Sequence, residues 1–304
     1  MIKVMKKVMY RRTVIVAGPT KEIVETYPTQ FGDNMRREGR KGGKGTPEAV
    51  KLYNRKLAKR RLTRIINANF VADDLWITLT YERDNRPESR EAAKEILQKF
   101  IRRLRYEYRK SGLELKAVKA TARGERGALH HHVIVNQGVP TRQITTIWRE
   151  VSGGSEYAHP PYYVPLYPEG EFSSLASYLV DQIEVEEGEL FERKWTATRN
   201  LKKPEYSAPQ DISEIKWQEP PEAEEGYYID TSSIEAGTNE ITGRPYLFYR
   251  MVKIEDGFTC RDDNGKLLRG AKAVEYFRDK NKNFIRDNWI TISPEGEVIF
   301  YDGG

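Results

Sequence analysis

Cysteine is almost absent from this chain of 304 residues, which contains only Cys260. A single cysteine cannot form an internal disulfide bond, and there are no cysteine pairs that would make a zinc site. No run of 18 uninterrupted apolar residues occurs, which argues against a membrane-spanning helix. The first residues also lack the long apolar stretch of a secretory signal. We therefore expect a protein of the reducing cytoplasm, without a membrane partner.

Positive charge is concentrated at the front of the chain. The whole sequence has 51 Lys and Arg against 45 Asp and Glu, whereas residues 1–70 have 18 against 5. This front segment is either a solvated arm or an arm that binds the phosphates of a nucleic acid. The cationic and glycine-rich run at residues 39–45 favours the second interpretation. We expect a basic arm over residues 1–46, in which Arg40, Lys41 and Lys44 contact phosphates.

The apolar pattern predicts an α+β fold with a central, mainly antiparallel β-sheet and flanking helices. Alternating β-formers predict a strand at 75–81, and a glycine-bearing turn joins two further predicted strands at 114–122 and 128–136. We expect one domain over residues 47–204. A less regular, β-rich accessory region of open role follows it at 205–304. Helices are predicted at 47–66, 87–110, 141–151 and 172–184.

Three of the four histidines are consecutive, at positions 130–132 in a predicted strand. Side chains alternate along a strand, so His130 and His132 share one face and His131 points to the other. Two imidazoles on one face can chelate a divalent metal ion. The alternative is an incidental polar strand end. The apolar residues that follow, Val133 to Val135, instead place the pair within a sheet, where unpaired imidazoles are costly.

Tyr178 lies on the polar face of the predicted helix 172–184, together with Ser174, Asp181 and Gln182. A tyrosine can attack a phosphodiester when its phenol lies in line and the phosphate is polarised. An ordinary surface tyrosine is the alternative. Arg102 and Arg103, on the predicted helix 87–110, are either part of a solvated face or further phosphate contacts.

Three of these segments resemble, in this order, the motifs of rolling-circle replication initiators of the HUH endonuclease superfamily, found in plasmids and integrative mobile elements. The first is the strand Ile77–Tyr81, the second is the histidine run 130–132, and the third is the helix segment Leu175–Val180, which carries Tyr178. The stretch Trp195–Pro204 also resembles a segment that follows the tyrosine helix in such initiators. The resemblance covers roughly residues 50–250.

The resemblance implies a DNA nickase and ligase that forms a covalent protein–DNA link. Tyr178 would be the nucleophile, and His130 and His132 would hold Mg²⁺ or Mn²⁺, with Glu125 as the nearest carboxylate for a third ligand. The implied partner is single-stranded or supercoiled origin DNA, and a host helicase is a candidate further partner. The basic residues named above would then be DNA contacts. The oligomeric state stays open.

The chain departs from the pattern of this superfamily at three positions. His131 stands where the middle residue is usually hydrophobic, Ala122 where a metal ligand is usual, and Asp181 where a lysine is common. These departures leave two alternatives to a replication initiator. One is a DNA-binding protein with a degenerate site, and the other is a relaxase or transposase of the same superfamily.

Overall fold

The computed structural model describes residues 10–27, 47–124, 126–166, 171–182, 195–238, 245–292 and 298–300. Its helices and antiparallel sheets, with a β-rich C-terminal region, confirm the predicted α+β class. None of the helices in this described part has the length and apolar character needed to cross a membrane. In chain order, the elements are β1 (Tyr10–Ala17), β2 (Thr20–Thr26), α1 (Pro47–Asn69), β3 (Leu75–Leu79), α2 (Arg90–Lys110), β4 (Ala117–Arg123), β5 (Leu129–Val135), α3 (Thr141–Ser152), β6 (Tyr162–Pro165), α4 (Ser173–Asp181), β7 (Thr196–Ala197), β8 (Glu205–Tyr206), β9 (Gln210–Ile212), β10 (Tyr227–Thr238), β11 (Pro245–Lys253), β12 (Thr259–Arg261), β13 (Leu267–Arg269), α5 (Ala271–Asp287), β14 (Ile290–Ile292) and β15 (Val298–Phe300).

The chain divides into two compact units. One comprises residues 52–203, and the other comprises residues 1–51 together with 204–304. The first unit contains a five-stranded antiparallel sheet in the order β6-β3-β5-β4-β7, so the histidine strand β5 is central. The second unit contains a sheet in the order β10-β11-β2-β1-β8, with β9 also paired to β1.

The central sheet of the first unit is covered on both faces, which explains why β5 is largely apolar. Alternate residues of its strands enter two separate cores. On one face, α2 and α3 pack over Ile77 and Val133. On the opposite face, α1 and α4 pack over Trp76 and Ile134. Helix side chains in these cores include Phe100, Leu104, Ile144 and Trp148 on the first face, and Leu62, Ile66, Ala176 and Leu179 on the second.

Helix α4 is short, and α1 helps to fix its position. The side-chain oxygen of Asn67 on α1 accepts a hydrogen bond of 2.9 Å from the backbone N–H of Phe172, just before α4 begins. Ala176, Leu179 and Val180 then bury the apolar side of α4 in the core shared with α1. The polar side of α4, with Tyr178, is therefore held at a defined place over the sheet.

The front of the chain differs from the basic arm expected over residues 1–46. Residues 10–26 instead form the antiparallel hairpin β1–β2, with Gly18 in the left-handed conformation (φ 57°) at its turn. Strand β2 also pairs with β11, so the hairpin is an integral part of the second sheet. Arg40, Lys41 and Lys44 lie outside the described residues, and their contact with DNA stays a prediction.

Candidate metal and nucleophile site

His130 and His132 lie on the face of β5 that α1 and α4 cover. In the strand register, His132 is opposite Thr78 on β3 and Ala120 on β4, while His130 is opposite Ala122. The Nε2 atoms of the two imidazoles are 3.2 Å apart, and the ring planes are perpendicular. The predicted sharing of one face thus brings two ring nitrogens to the same point.

This separation fits two ligands of one metal ion. Two nitrogens that each lie about 2.1 Å from an ion are about 3.2 Å apart when the angle at the ion is about 100°. That angle lies between those of octahedral and tetrahedral coordination. The same distance also suits an N–H···N hydrogen bond between the rings, so the geometry permits both arrangements.

The surrounding groups favour rings whose Nε2 lone pairs face each other. Trp76 Nε1 donates to Thr78 Oγ1 (3.2 Å), and Thr78 Oγ1 lies 3.3 Å from Nδ1 of His132. The hydroxyl can therefore accept a proton from Nδ1, which leaves Nε2 with its lone pair. His130 is hydrogen-bonded to the backbone of Ala128. Such partners on the second ring nitrogen orient metal-binding histidines.

Burial keeps both imidazoles neutral. Desolvation lowers the pKa of His130, against the opposing hydrogen bond to Ala128. Desolvation, with a smaller contribution from the neighbouring His130, lowers the pKa of His132 to about 4. A metal ion binds the neutral form of imidazole, so the pair is in a binding-competent state at neutral pH.

Tyr178 on α4 lies beside this histidine pair. Its ring centroid is 6.0 Å from that of His132 and 5.6 Å from that of Trp76, both in tilted or edge-on contact. The residue is still 50% exposed. The predicted nucleophile is thus packed against one candidate ligand while it keeps access to solvent.

Asp181, one turn after Tyr178, forms ion pairs with α1. Its Oδ1 accepts from Arg55 Nε (2.8 Å), and its Oδ2 accepts from Lys59 Nζ (2.7 Å). Partial burial raises the pKa of the Asp181 carboxyl, but the hydrogen bonds from Lys59 and Arg55 outweigh it, so the net pKa lies below its ordinary value. Asp181 is therefore a charged carboxylate at neutral pH. The positive charge that the resemblance leads one to expect at this turn is present here on α1.

His131 points into the opposite core, as its position in the strand predicts. It is fully buried, and its Nε2 lies 2.6 Å from Tyr81 Oη while its Nδ1 lies 2.9 Å from Thr121 Oγ1. Desolvation, assisted by the neighbouring histidines and Lys119, lowers the pKa of His131 to about 3. This residue is a neutral structural group with both ring nitrogens engaged.

A third protein ligand is not evident among the described residues, where no group of three or more His, Cys, Asp or Glu side chains could hold a metal. Ala122 lies opposite His130 and is buried, so its methyl group occupies the position where a ligand was expected. Glu125, the proposed substitute, lies outside the described residues. Its role as a ligand stays a prediction.

Arg102 and Arg103 lie away from this site. Both are exposed on α2, which covers the opposite face of the sheet, and Arg103 forms an ion pair with Glu150 on α3. The structure does not bring them near Tyr178, and their contact with DNA stays a prediction.

Sequence analysis missed four residues of the site: Trp76, Thr78, Arg55 and Lys59. Two signals were available for them. Thr78 is two residues after Trp76 and shares its strand face, and Arg55 and Lys59 have the i, i+4 spacing of one helix face. Their partners are 54 and about 120 residues away in the chain, and sequence alone does not reveal such contacts.

Part of the chain matches a known protein family. Residues 74–167 match the model of the family of replication-associated protein ORF2, and no curated protein or solved structure matches the chain. The matched range extends from the start of β3 to just beyond β6. It includes His130 and His132, but it ends before α4 and Tyr178. The match supports a role in replication initiation.

Proposed function

We propose that this chain initiates rolling-circle replication by nicking and rejoining single-stranded DNA with Tyr178 as the nucleophile. One observation carries the proposal: the Nε2 atoms of His130 and His132 converge at 3.2 Å on the sheet face where the ring of Tyr178 lies. This arrangement puts a potential cation site and a potential nucleophile side by side, next to a segment whose family match points to replication.

In the proposed reaction, Tyr178 Oη forms a bond to the phosphorus of a DNA phosphodiester, and the bond from phosphorus to the 3′ oxygen breaks. The phenol proton passes to solvent, and the leaving 3′ oxygen takes up a proton. The products are a 5′-phosphotyrosyl link and a free 3′-OH. Attack by a 3′-OH on the same link reverses the step, which rejoins the strand and restores the phenol.

His130 and His132 would hold a divalent ion, Mg²⁺ or Mn²⁺. When bound, this ion supplies Lewis-acid polarisation of the phosphate oxygens. Two nitrogen ligands favour Mn²⁺ over Mg²⁺, which prefers an all-oxygen shell. Thr78 and the backbone of Ala128 orient the two imidazoles, and Trp76 contacts both Thr78 and the ring of Tyr178.

The helix supports a one-tyrosine mechanism. The residue four positions after Tyr178 is Gln182, and the residue four positions before it is Ser174. No second tyrosine therefore stands one turn away to exchange the DNA strand with Tyr178. A second cleavage would need an activated water or a second copy of the chain. The proposed partners are single-stranded or supercoiled origin DNA and a host helicase.

A metal-dependent cleavage assay tests this function. Wild type, Tyr178→Phe and the control Tyr157→Phe are incubated with labelled, randomised single-stranded DNA, with Mn²⁺ or with EDTA. Tyr157 is 87% exposed in the same unit, so its variant removes a comparable surface hydroxyl. We expect Mn²⁺-dependent cleavage by wild type and Tyr157→Phe and none by Tyr178→Phe. Cleavage by Tyr178→Phe at the wild-type rate would refute the nucleophile.

A second candidate function is DNA binding without cleavage. The buried methyl group of Ala122 beside His130 favours it, because a carboxylate ligand is missing at that position. In that case all three proteins would bind the same DNA and none would cleave it. A relaxase or transposase would cleave as well, and its preferred DNA sequence, selected from the randomised pool, would distinguish it from a replication initiator.

A further inference from the structure

Two cations of α1 converge on one carboxylate of the tyrosine helix. Arg55 contacts Asp181 Oδ1 through both Nε (2.8 Å) and Nη2 (2.7 Å), and Lys59 contacts Oδ2 through Nζ (2.7 Å). Arg55 and Lys59 are four residues apart, so they project from the same face of α1. Both oxygens of Asp181 are therefore used to hold a pair of cations in place.

This cation pair lies close to Tyr178. Asp181 follows Tyr178 by three residues on α4, and side chains at this spacing are neighbours on a helix surface, with Cβ atoms about 5–6 Å apart. Helices α1 and α4 also share a core through Leu62 and Leu179. A phosphate that approaches Tyr178 would thus come within a screening length of the pair, which is about 8–10 Å at ordinary ionic strength.

The pair has positive charge and hydrogen-bond donors to offer. Two cations against one carboxylate leave a local excess of one positive charge. A guanidinium has five N–H donors, of which the Asp181 contacts involve Nε and Nη2, and an ammonium group has three. The side chains of Arg55 and Lys59 remain 42% and 30% exposed. A fixed, partly exposed cation pair of this kind suits a phosphate oxygen.

We propose that Arg55 and Lys59 bind a backbone phosphate of single-stranded nucleic acid next to Tyr178, and that Asp181 is the positioning residue that holds them there. The inference rests on the proposed role of Tyr178 for its meaning, but the phosphate contact can be tested without cleavage. The competing explanation is that the ion pairs only dock α1 against α4.

The test measures binding of a randomised, fluorescently labelled single strand over a series of salt concentrations. All variants are made in the Tyr178→Phe background, so that cleavage does not affect the result. Arg55→Gln and Lys59→Gln remove one cation each. Lys99→Gln on α2 and Arg142→Gln on α3 are matched controls, because they remove the same charges on the opposite face of the sheet. Asp181→Asn breaks the same ion pairs but removes a negative charge.

Each phosphate contact that is lost should lower the slope of log affinity against log salt by about 0.7 for a single strand. We expect this decrease, with affinity about 3- to 10-fold weaker, for Arg55→Gln and Lys59→Gln and not for the two controls. Asp181→Asn should keep the slope and bind at least as tightly as the background protein. Circular dichroism and melting temperature verify that each variant is folded.

Two outcomes would overturn the proposal. The first is a salt slope for Arg55→Gln and Lys59→Gln equal to that of the controls. The second is the same loss of affinity in Asp181→Asn as in the two cation variants, because a docking role predicts that all three behave alike. Wild-type cleavage is measured separately, so loss of the phosphate site and failure of the nuclease proposal give different results.

Discussion

The two faces of strand β5 use histidine in opposite ways. On one face, His131 is fully buried, and its two ring nitrogens meet Tyr81 and Thr121. On the other face, the Nε2 atoms of His130 and His132 meet each other at 3.2 Å. The number of protein partners on each ring distinguishes them: His131 has no nitrogen left for a ligand, whereas the pair keeps one lone pair each for an ion.

The neighbouring strand β4 creates this difference. Thr121 lies opposite His131 and supplies a hydroxyl to it, whereas Ala122 lies opposite His130 and supplies only a methyl group. A one-residue step along β4 thus changes a satisfied structural histidine into one with capacity for a ligand. The predictions below test this contrast, from the largest expected effect to the smallest.

The first prediction concerns stability. His131→Ala should lower the free energy of unfolding by about 3 kcal/mol, because it leaves a cavity and removes the partner of the buried Tyr81 hydroxyl. His130→Ala should lower it by less than about 1 kcal/mol, because His130 is partly exposed. Urea unfolding in the presence of EDTA measures both. Equal losses in the two variants would show that the faces do not differ in this way.

The second prediction concerns the pH dependence of stability. The pKa of His131 is about 3 in the folded chain, whereas an unfolded histidine titrates near 6.5. Below pH 6.5 the unfolded chain binds the additional proton, so this residue should cost about 1.4 kcal/mol of stability per pH unit as pH falls toward 3. In His131→Gln this contribution should disappear. Urea unfolding at pH 6 and pH 5 checks it, and an unchanged slope would contradict a neutral buried His131.

The third prediction concerns metal affinity. Replacing His130 or His132 with alanine should weaken Mn²⁺ binding about 10-fold or more, because each would supply one of two protein nitrogens. His131→Gln should weaken it less, because that ring faces the other core. Calorimetric titration of the folded variants with Mn²⁺ provides the measurement. A loss in His131→Gln as large as in His130→Ala would mean that the register of β5 is wrong.

The smallest effect is expected from Thr78→Val, which keeps the shape of the side chain and removes the hydroxyl near His132 Nδ1. Without that partner the ring is less well oriented, and Mn²⁺ affinity should fall by up to about 10-fold. Thr145→Val on α3, which removes a half-buried hydroxyl on the opposite face, is the control. Equal Mn²⁺ affinity in Thr78→Val and wild type would argue against a ligand role of His132 through Nε2.

The central sheet could be predicted because its sequence pattern has local causes. Strand β5 is apolar on both sides of its histidines, and the stripe of α2 recurs at Ala93, Leu97, Leu104 and Tyr108. The alternation of side chains alone assigns His130 and His132 to one face. For the same reason, the placement of Tyr178 on the exposed side of its helix follows from apolar spacing.

The hairpin β1–β2 was missed because its strands carry charges that are satisfied by distant partners. Glu22 and Glu25 are buried at 1% and 2% exposure, which the pattern of a solvated arm does not suggest. Glu22 forms an ion pair with Arg250, 228 residues away, and Glu25 forms one with Arg12 across the hairpin. Counting charge over residues 1–70 treats such buried pairs as free surface charge, and so it concealed the strands.

Peptide mapping of a trapped covalent product tests the central claim most directly. Wild-type protein is incubated with labelled single-stranded DNA and Mn²⁺, denatured and digested, and the nucleotide-bearing peptide is identified by mass spectrometry. The account predicts a phosphotyrosyl link at Tyr178, formed only with an intact His130 and His132. A link at any other tyrosine, or cleavage that leaves a free 5′-phosphate and no protein adduct, would contradict it.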